Sequence, residues 1–293
     1  MTRAGIVTVV GKPNAGKSTL LNRLIGEKLS ITSEKPQSTR DRVVGILTKG
    51  DVQMIILDTP GLLEPRYALQ RSMRATSLQA LEDADVIVHL VDARDGTPQP
   101  LAEAAELARP PRAPIITAVN KVDALAGPAR DALRRDVPNA IQLSALTGEG
   151  VDALVRDITP HLPESPFLYP DDEIGTQSLR FFASELVRES ALEQLDDEVP
   201  YSVACGIEEF REDRSPVYIR AVIYVERESQ KGILVGHQGA RIRELGRASR
   251  LKIERLVGKP VFLDLWVKVL PNWRRNVQSL RRLGYPLPEE RSR

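Results

Sequence analysis

The sequence predicts an α/β domain built on a mostly parallel sheet with one antiparallel strand pair, followed by a smaller α+β domain. Three observations carry that expectation. From Gly5 to about Leu162, short β-branched runs alternate with helical patterns, as in a parallel sheet covered by helices on both faces. After about residue 177 the order changes to helix, two strands, two helices, strand. Between them lies "HLPESPFLYPDDEIGT", rich in prolines and acids and without periodicity, which reads as an extended, exposed connection. A chain of 293 residues is long enough for two such domains, each with its own core. They are placed at 1–164 and 177–293, with 165–176 as the linker.

The first strand is "IVTVV". A basic residue precedes it, as in a secretory leader, but the apolar run is too short and ends in a Gly, Lys and Pro cluster. "VVGIL" and "QMIILD" come next with only "TKGD" between them, too little chain for a crossover, so they form a hairpin. "VIVHLVD", "PIITAVN" and "AIQLS" complete the sheet. In the second domain Thr176 reads as a helix cap ahead of the stripe Leu179, Phe182, Leu186 and Leu195. "YSVACGIEEF" and "VYIRAVIYVER" are strands. The second alternates strictly, Val217, Ile219, Ala221, Ile223 and Val225 on one face and Tyr218, Arg220 and Glu226 on the other. Two helical stretches flank "GHQG", and "VFLDLWVKVL" is the last strand.

Composition excludes several classes. With 41 Lys and Arg against 40 Asp and Glu, the net charge of +1 sets up no global field for a polyanion. The single cysteine, Cys205, rules out an internal disulfide and fits a reducing compartment. No segment approaches the roughly 20 apolar residues of a spanning helix, so a cytoplasmic protein, at most peripheral to a membrane, is expected.

"GKPNAGKS" follows a strand and precedes a helix, with the P-loop spacing of two glycines four apart before Lys and Ser. Gly11, Lys12, Pro13, Asn14, Ala15 and Gly16 would wrap backbone amides around phosphates. Lys17 would neutralise the β and γ oxygens, and Ser18 would offer a magnesium ligand, with Thr19 inside the helix start. "DTPG" ends another apolar strand, where Asp58 can reach the magnesium shell and the Gly61 amide the γ-phosphate. In "NKVD", Asp123 can accept two hydrogen bonds from guanine N1 and N2, groups that adenine lacks, with Asn120 and Lys121 beside it. "SAL", Ser144, Ala145 and Leu146, could donate backbone amides to the guanine oxygen. The polar, aperiodic "SITSEKPQSTRDR" reads as a loop that changes state. Within it Thr39 is the choice for the hydroxyl joining magnesium and γ-phosphate, with Ser38 its close competitor.

A second glycine turn, "GHQG" from Gly236 to Gly239, opens the helix beginning at Ala240. Such turns are common as helix caps, but the charge distribution is unusual. Lys231 to Arg293 holds fifteen Lys and Arg against five acids, whereas Asp171 to Gln230 holds six against fifteen. A basic face set against an acidic back suits a nucleic acid, with Lys231, Arg241, Arg243, Arg247, Arg250 and Lys252 as its candidate cations. His237 and Gln238 are turn residues, and His89 is an ordinary strand histidine.

These motifs resemble the five nucleotide motifs of Ras-type GTPase domains, specifically the bacterial subgroup that includes the Era family. The second domain is similar to a type II KH domain, whose G-x-x-G turn clamps single-stranded RNA. "ELVRES", "VPYSVACGIEEF", "KPVFLDLWVKV" and "LRRLGYP" extend the likeness over nearly the whole chain. The resemblance implies a Ras-like P-loop GTPase domain followed by an α+β type II KH domain, hydrolysing GTP slowly to GDP and phosphate with Mg2+ held by Ser18, Thr39 and Asp58. It implies K+ near Asn14 as an aid to catalysis alongside Lys17, Thr39 and Gly61. It further implies binding of the 3′ end of 16S rRNA, a role in assembly of the 30S subunit, a monomeric state and peripheral contact with the inner face of the cell membrane. One departure stands out: Leu62 and Leu63 follow Gly61, where Ras has a water-orienting glutamine. Two rivals remain at this level. One is a P-loop kinase or ATPase, which would have no use for NKVD. The other is an RNA-binding or membrane-associated adaptor using GTP mainly as a structural ligand.

Overall fold

The computed structural model describes residues 1–287. Arg291 and Arg293, with Glu289 and Glu290, therefore lie outside the described residues. The chain divides into two compact units, Met1–Pro65 with Met73–Thr176, and Arg66–Ser72 with Gln177–Arg293.

The elements preceding residue 177 run β1 (Arg3–Val10), α1 (Lys17–Ile25), β2 (Val43–Lys49), β3 (Val52–Asp58), α2 (Ala68–Asp83), β4 (Val86–Asp92), α3 (Leu101–Ala104), β5 (Ile115–Asn120), α4 (Gly127–Asp136), β6 (Ile141–Gln142) and α5 (Val151–Ile158). The six strands form one sheet in the order β2, β3, β1, β4, β5, β6. All neighbours are parallel except β2 and β3, whose register from Val43 opposite Asp58 to Lys49 opposite Val52 makes the expected hairpin. Val7, Val9 and Val10 of β1 and Ile87, Val88 and Leu90 of β4 are fully buried, as strands covered on both faces must be. Because parallel strands all end on one side, the carboxyl ends of β1, β3, β4 and β5 converge there, and the loops that follow them carry the motifs.

The segment expected to be an exposed linker is instead laid along this sheet. The Ala4 amide donates to the Pro163 carbonyl at 3.3 Å. Gln53, fully buried, accepts from the Leu168 and Tyr169 amides at 2.8 and 3.0 Å and donates to the Tyr169 carbonyl at 2.9 Å. The Ile46 amide of edge strand β2 donates to the Ile174 carbonyl at 2.9 Å. An edge strand has unpaired backbone groups, and the connector satisfies some of them. Prolines and acids advertise lack of helix and strand periodicity; they do not report whether the extended chain is anchored.

From Gln177 onward the elements are α6 (Leu179–Gln194), α7 (Val199–Ser202), β7 (Ala204–Arg211), β8 (Val217–Val225), α8 (Glu228–Val235), α9 (Ala240–Val257), β9 (Val261–Val269) and α10 (Val277–Arg282). β8 is central, antiparallel to β7 and parallel to β9. Its inward face, Val217, Ile219, Ala221, Ile223 and Val225, packs with Ala183, Val187 and Ala191 of α6 and Leu245 and Ile253 of α9 in one core. The cap of α6 is Ser178, whose hydroxyl accepts from the Phe181 amide, and not Thr176. The side chain three residues before an orphan amide is the one that reaches it. Among the described residues no helix is long and apolar enough to cross a membrane.

Candidate functional site

The loop from Gly11 to Gly16 runs between β1 and α1 with three residues at positive φ: Gly11 at 157°, Asn14 at 63° and Gly16 at 96°. At Gly16 a side chain is excluded by contact as well as strain, since a Cβ would lie 2.2 Å from Asn120 Nδ2. The Lys17 ammonium is buried and donates to the Gly11 and Lys12 carbonyls at 3.2 and 3.0 Å. Burial pulls its pKa down to about 8, against the opposing charge of Asp58. A cation held dehydrated inside an amide-lined loop at a helix start is a phosphate site.

Asp58, fully buried at the end of β3, faces that loop. Its Oδ2 accepts from Ser18 at 2.7 Å, Ser30 at 2.8 Å and Thr39 at 3.4 Å, and the Ser18 and Thr39 hydroxyls are 2.8 Å apart. Of the two hydroxyls proposed from the sequence, it is therefore Thr39 that stands at this cluster. Burial pushes the Asp58 carboxyl upward, and the Lys17 charge and the Ser18, Ser30 and Thr39 hydroxyls oppose it. Asp58 Oδ1 is buried without a hydrogen-bond partner. A buried orphan carboxylate oxygen beside two hydroxyls is an all-oxygen donor set that fits Mg2+, a hard cation. Gly61 lies against the P-loop so closely that a Cβ there would be 2.7 Å from Pro13 N. Leu62 donates its amide to the Gly11 carbonyl at 3.1 Å, while its side chain enters a core cluster with Val10, Leu81, Ile87 and Leu101.

Three motifs meet at Asn120, 2% exposed at the end of β5. Its amide donates to the Ala15 carbonyl at 2.8 Å and accepts from the Ala145 amide at 2.9 Å. Lys121, at φ 67°, donates to the Asn14 carbonyl at 2.5 Å and pairs with Asp92 at 2.8 Å. Burial alone would raise the Asp92 pKa, but hydrogen bonds from Arg94 and Lys121 hold it well below the usual carboxylate range. Asp123 follows, exposed, on a short 3-10 turn. Ser144 accepts from the Thr147 amide, and Leu146 is 68% exposed. Thr19 lies in the first turn of α1. His89 is buried in β4 and kept neutral by burial, with Lys12 adding to the effect.

The sequence reading missed Asn22, Arg23, Ser30 and Asp92. Arg23 donates to the carbonyls of Ala145, at 3.1 Å, and Leu146, so α1 itself secures the SAL loop. Asp92 had a legible signal, an acid ending an apolar strand as Asp58 does. Arg23 and Ser30 had none, because the partners Ala145, Leu146 and Asp58 are distant in sequence, and Asn22 bonds the main chain of Leu29 and Ser30 across a turn without a repeating pattern.

In the second unit α8 ends at Gly236, at φ 70°, and Gln238 and Gly239 follow at 49° and 74° before α9. A Cβ on Gly236 would lie 2.8 Å from Arg241 Cβ, so both glycines hold backbone that side chains would strain or obstruct. Arg241 donates to the Ile233 carbonyl at 3.3 Å and Arg243 to the Gln238 carbonyl at 2.9 Å, so both guanidinium groups border the turn. His237, Gln238, Arg241 and Arg243 are exposed at or next to that turn, Arg247 is exposed further along α9, and Lys231 is half-buried. Arg250 pairs with Glu254 at 2.8 Å. Lys252 departs furthest from the expected phosphate face: it is drawn onto α6 by Glu189 at 2.9 Å and Glu193 at 2.7 Å. Its position on α9 faces the acidic helix that packs there, which a charge count cannot show.

A phosphate loop, a buried metal-type carboxylate and a base loop ordered as NKVD and SAL, joined to a G-x-x-G fold, define a Ras-like GTPase carrying a KH domain. Known proteins agree. Residues 6–121 match the family described as "50S ribosome-binding GTPase", and residues 198–274 match the KH domain family. GTPase Era of Marinobacter nauticus is 46% identical over 292 residues, spanning 97% of this chain and 95% of that protein. GTPase Era of Pseudomonas fluorescens is 43% identical, spanning 97% of each. A crystal structure of Era with MgGDPNP and nucleotides 1506-1542 of 16S ribosomal RNA superposes with a TM-score of 0.90 at 40% identity, covering 98% of this chain and 100% of that one. A point variant of Aquifex aeolicus Era bound to GDP.AlF4- gives 0.88 at 39%, with the same coverage. The chain belongs to the Era family of GTPases.

Proposed function

We propose that this chain is a nucleotide-gated RNA clamp, binding GTP or GDP with Mg2+ in its first unit and the single-stranded 3′ end of 16S rRNA in its second. The observation that carries the reading is the pairing of two backbone-built phosphate sites in one chain. One is the P-loop with its orphaned Asp58 oxygen; the other is the turn held open by Gly236 and Gly239. The full-length likeness to an Era captured with MgGDPNP and 16S nucleotides supports it.

In this reading the P-loop amides from Asn14 to Thr19 and the Lys17 ammonium neutralise the β- and γ-phosphates. Ser18, Thr39 and Asp58 would hold Mg2+, which when bound stabilises charge on the phosphoryl oxygens. Gly61 turns its amide to the γ-phosphate. Water attacks phosphorus, the bond to the β-phosphate oxygen breaks, and the products are GDP and inorganic phosphate. With Leu62 folded into the core, no side chain immediately after Gly61 orients that water, so turnover is slow. A K+ ion held beside Asn14 would supply part of the missing stabilisation; the Asn14 side-chain amide donates to the Glu34 carbonyl at 2.7 Å, which ties this residue to the state-changing loop.

GTP orders the loops holding Thr39 and Gly61, and RNA affinity changes with them. By linkage, RNA then changes GTP affinity by the same factor. The likeness to Era extends this reading to a biological setting: a cytoplasmic monomer acting on the 30S subunit during assembly, with peripheral contact at the inner membrane face.

The test is titration of the 16S 3′-terminal oligonucleotide into protein loaded with a GTP analogue or with GDP, in K+ and in Na+, using wild type and the Gly236→Val, Gly239→Val double variant. Tighter binding in the GTP state, lost in the double variant while GDP affinity persists, is expected. Oligonucleotide binding unchanged by the double substitution refutes the clamp, and equal affinity in both nucleotide states refutes the gating.

A further inference from the structure

Asp58 is held by one hydroxyl that no nucleotide motif contains. Ser30, 3% exposed, donates to Asp58 Oδ2 at 2.8 Å. Its backbone is itself fastened: Asn22 Oδ1 accepts from the Leu29 and Ser30 amides, each at 2.9 Å, and Asn22 Nδ2 donates to the Ser30 carbonyl at 2.7 Å. Asn22 belongs to α1, the helix whose first turn carries Lys17 and Ser18. Leu29 and Ile31 are buried on either side.

We propose that Ser30, locked to α1 by Asn22, is a positioning residue that fixes the Asp58 carboxylate so that Oδ1 is presented to Mg2+. The inference rests on the reading of this cluster as the magnesium site. A carboxylate on a single χ2 axis can rotate, and its terminal torsion is broad. Ser18 and Thr39 also bond Oδ2, but both are themselves candidates to ligate the ion. Thr39 sits deep in a stretch, residues 26–42, without helix or strand, of the kind that rearranges with nucleotide state. Ser30 lies in the same stretch, but at its start, where α1 fastens it, and it is not a candidate ligand of the ion. Three hydrogen bonds with Asn22, two accepted by its Oδ1 and one donated by its Nδ2, fasten the main chain of Ser30 and Leu29, so the Ser30 hydroxyl stays on Oδ2 whether or not the γ-phosphate is present. With Oδ2 occupied from this side, Oδ1 remains the oxygen without a partner. Hydrogen bonds to a metal-binding carboxylate fix its orientation in this way.

The experiment uses the full chain and a fluorescent GDP, measuring nucleotide affinity against Mg2+ concentration and again in EDTA. Ser30→Ala is expected to raise the Mg2+ concentration for half-maximal tightening by about ten- to a hundredfold, the usual effect of losing a supporting partner, while affinity in EDTA stays at the wild-type value. Ser30→Thr, which retains the hydroxyl, is expected to restore the Mg2+ dependence. Thermal melts of each protein report whether it is folded. Ser30→Ala with a wild-type Mg2+ profile overturns the proposal. So does a loss of affinity equal in Mg2+ and in EDTA, which marks a merely structural serine. The underlying reading fails separately: wild-type GDP affinity indifferent to Mg2+ means that the cluster is no magnesium site.

Discussion

Replacing Asn120 by alanine tests whether one buried amide organises the nucleotide site. Asn120 bridges the P-loop and the SAL loop through the Ala15 carbonyl and the Ala145 amide, at 2.8 and 2.9 Å, while 2% exposed. Each bond contributes about 1 kcal/mol net, and a buried backbone group left without a partner costs about 1–3 kcal/mol. Water entering the new space offsets part of that, so the total loss is about 2–4 kcal/mol. At roughly 2–4 °C per kcal/mol for a domain of this size, the first unit should melt about 4–16 °C lower. Bound nucleotide must then order two loops that the fold previously held, at a cost of about 1–2 kcal/mol, so GDP should dissociate roughly 5–30 times faster. Calorimetry and stopped-flow release of fluorescent GDP measure the two effects. Asn120→Asp is the isosteric control: it keeps the acceptor for Ala145 but sets an anionic oxygen against the Ala15 carbonyl, so it should be at least as damaging. Wild-type melting and GDP release in Asn120→Ala would refute the argument.

Three further outcomes are expected. Leu62→Gln should not raise the hydrolysis rate in single-turnover assays, because position 62 faces a core cluster, and it should cost about 1–3 kcal/mol in denaturant unfolding by burying an amide; a rate gain would show that the side chain reaches the phosphate. Lys252→Ala should destabilise the second unit by about 1–3 kcal/mol, below the roughly 3–5 kcal/mol of breaking a fully buried pair because the Lys252 side chain is 20% exposed. It should leave the salt dependence of RNA binding intact, whereas Arg241→Ala should reduce that slope by about one, both read by binding titrations at several salt concentrations. Asp92→Asn should weaken GTP and GDP alike by about tenfold, through Lys121, in equilibrium binding at neutral pH. Because the Asp92 pKa is depressed in the fold, its contribution is present above the unfolded carboxylate pKa and lost as pH falls through the folded one. The wild type should therefore approach the variant's melting temperature only in strong acid.

The sequence by itself determined the strands, their parallel order apart from one hairpin, and the phosphate, magnesium and base motifs. These are local statements: glycine at a fixed spacing, an acid closing an apolar run, alternation with a period of two. Both glycines of the G-x-x-G turn were legible for the same reason. Tertiary structure alone decided which charges and hydroxyls are free to act. It set Thr39 beside Ser18 and Asp58, folded Leu62 into the core, gave Lys252 to Glu189 and Glu193, laid the connector along β2 and β3, and brought Ser30 to Asp58 across 28 residues. A side chain's partners depend on distances between segments remote in sequence. Periodicity and spacing record which residues a segment contains, and only packing records what stands opposite them.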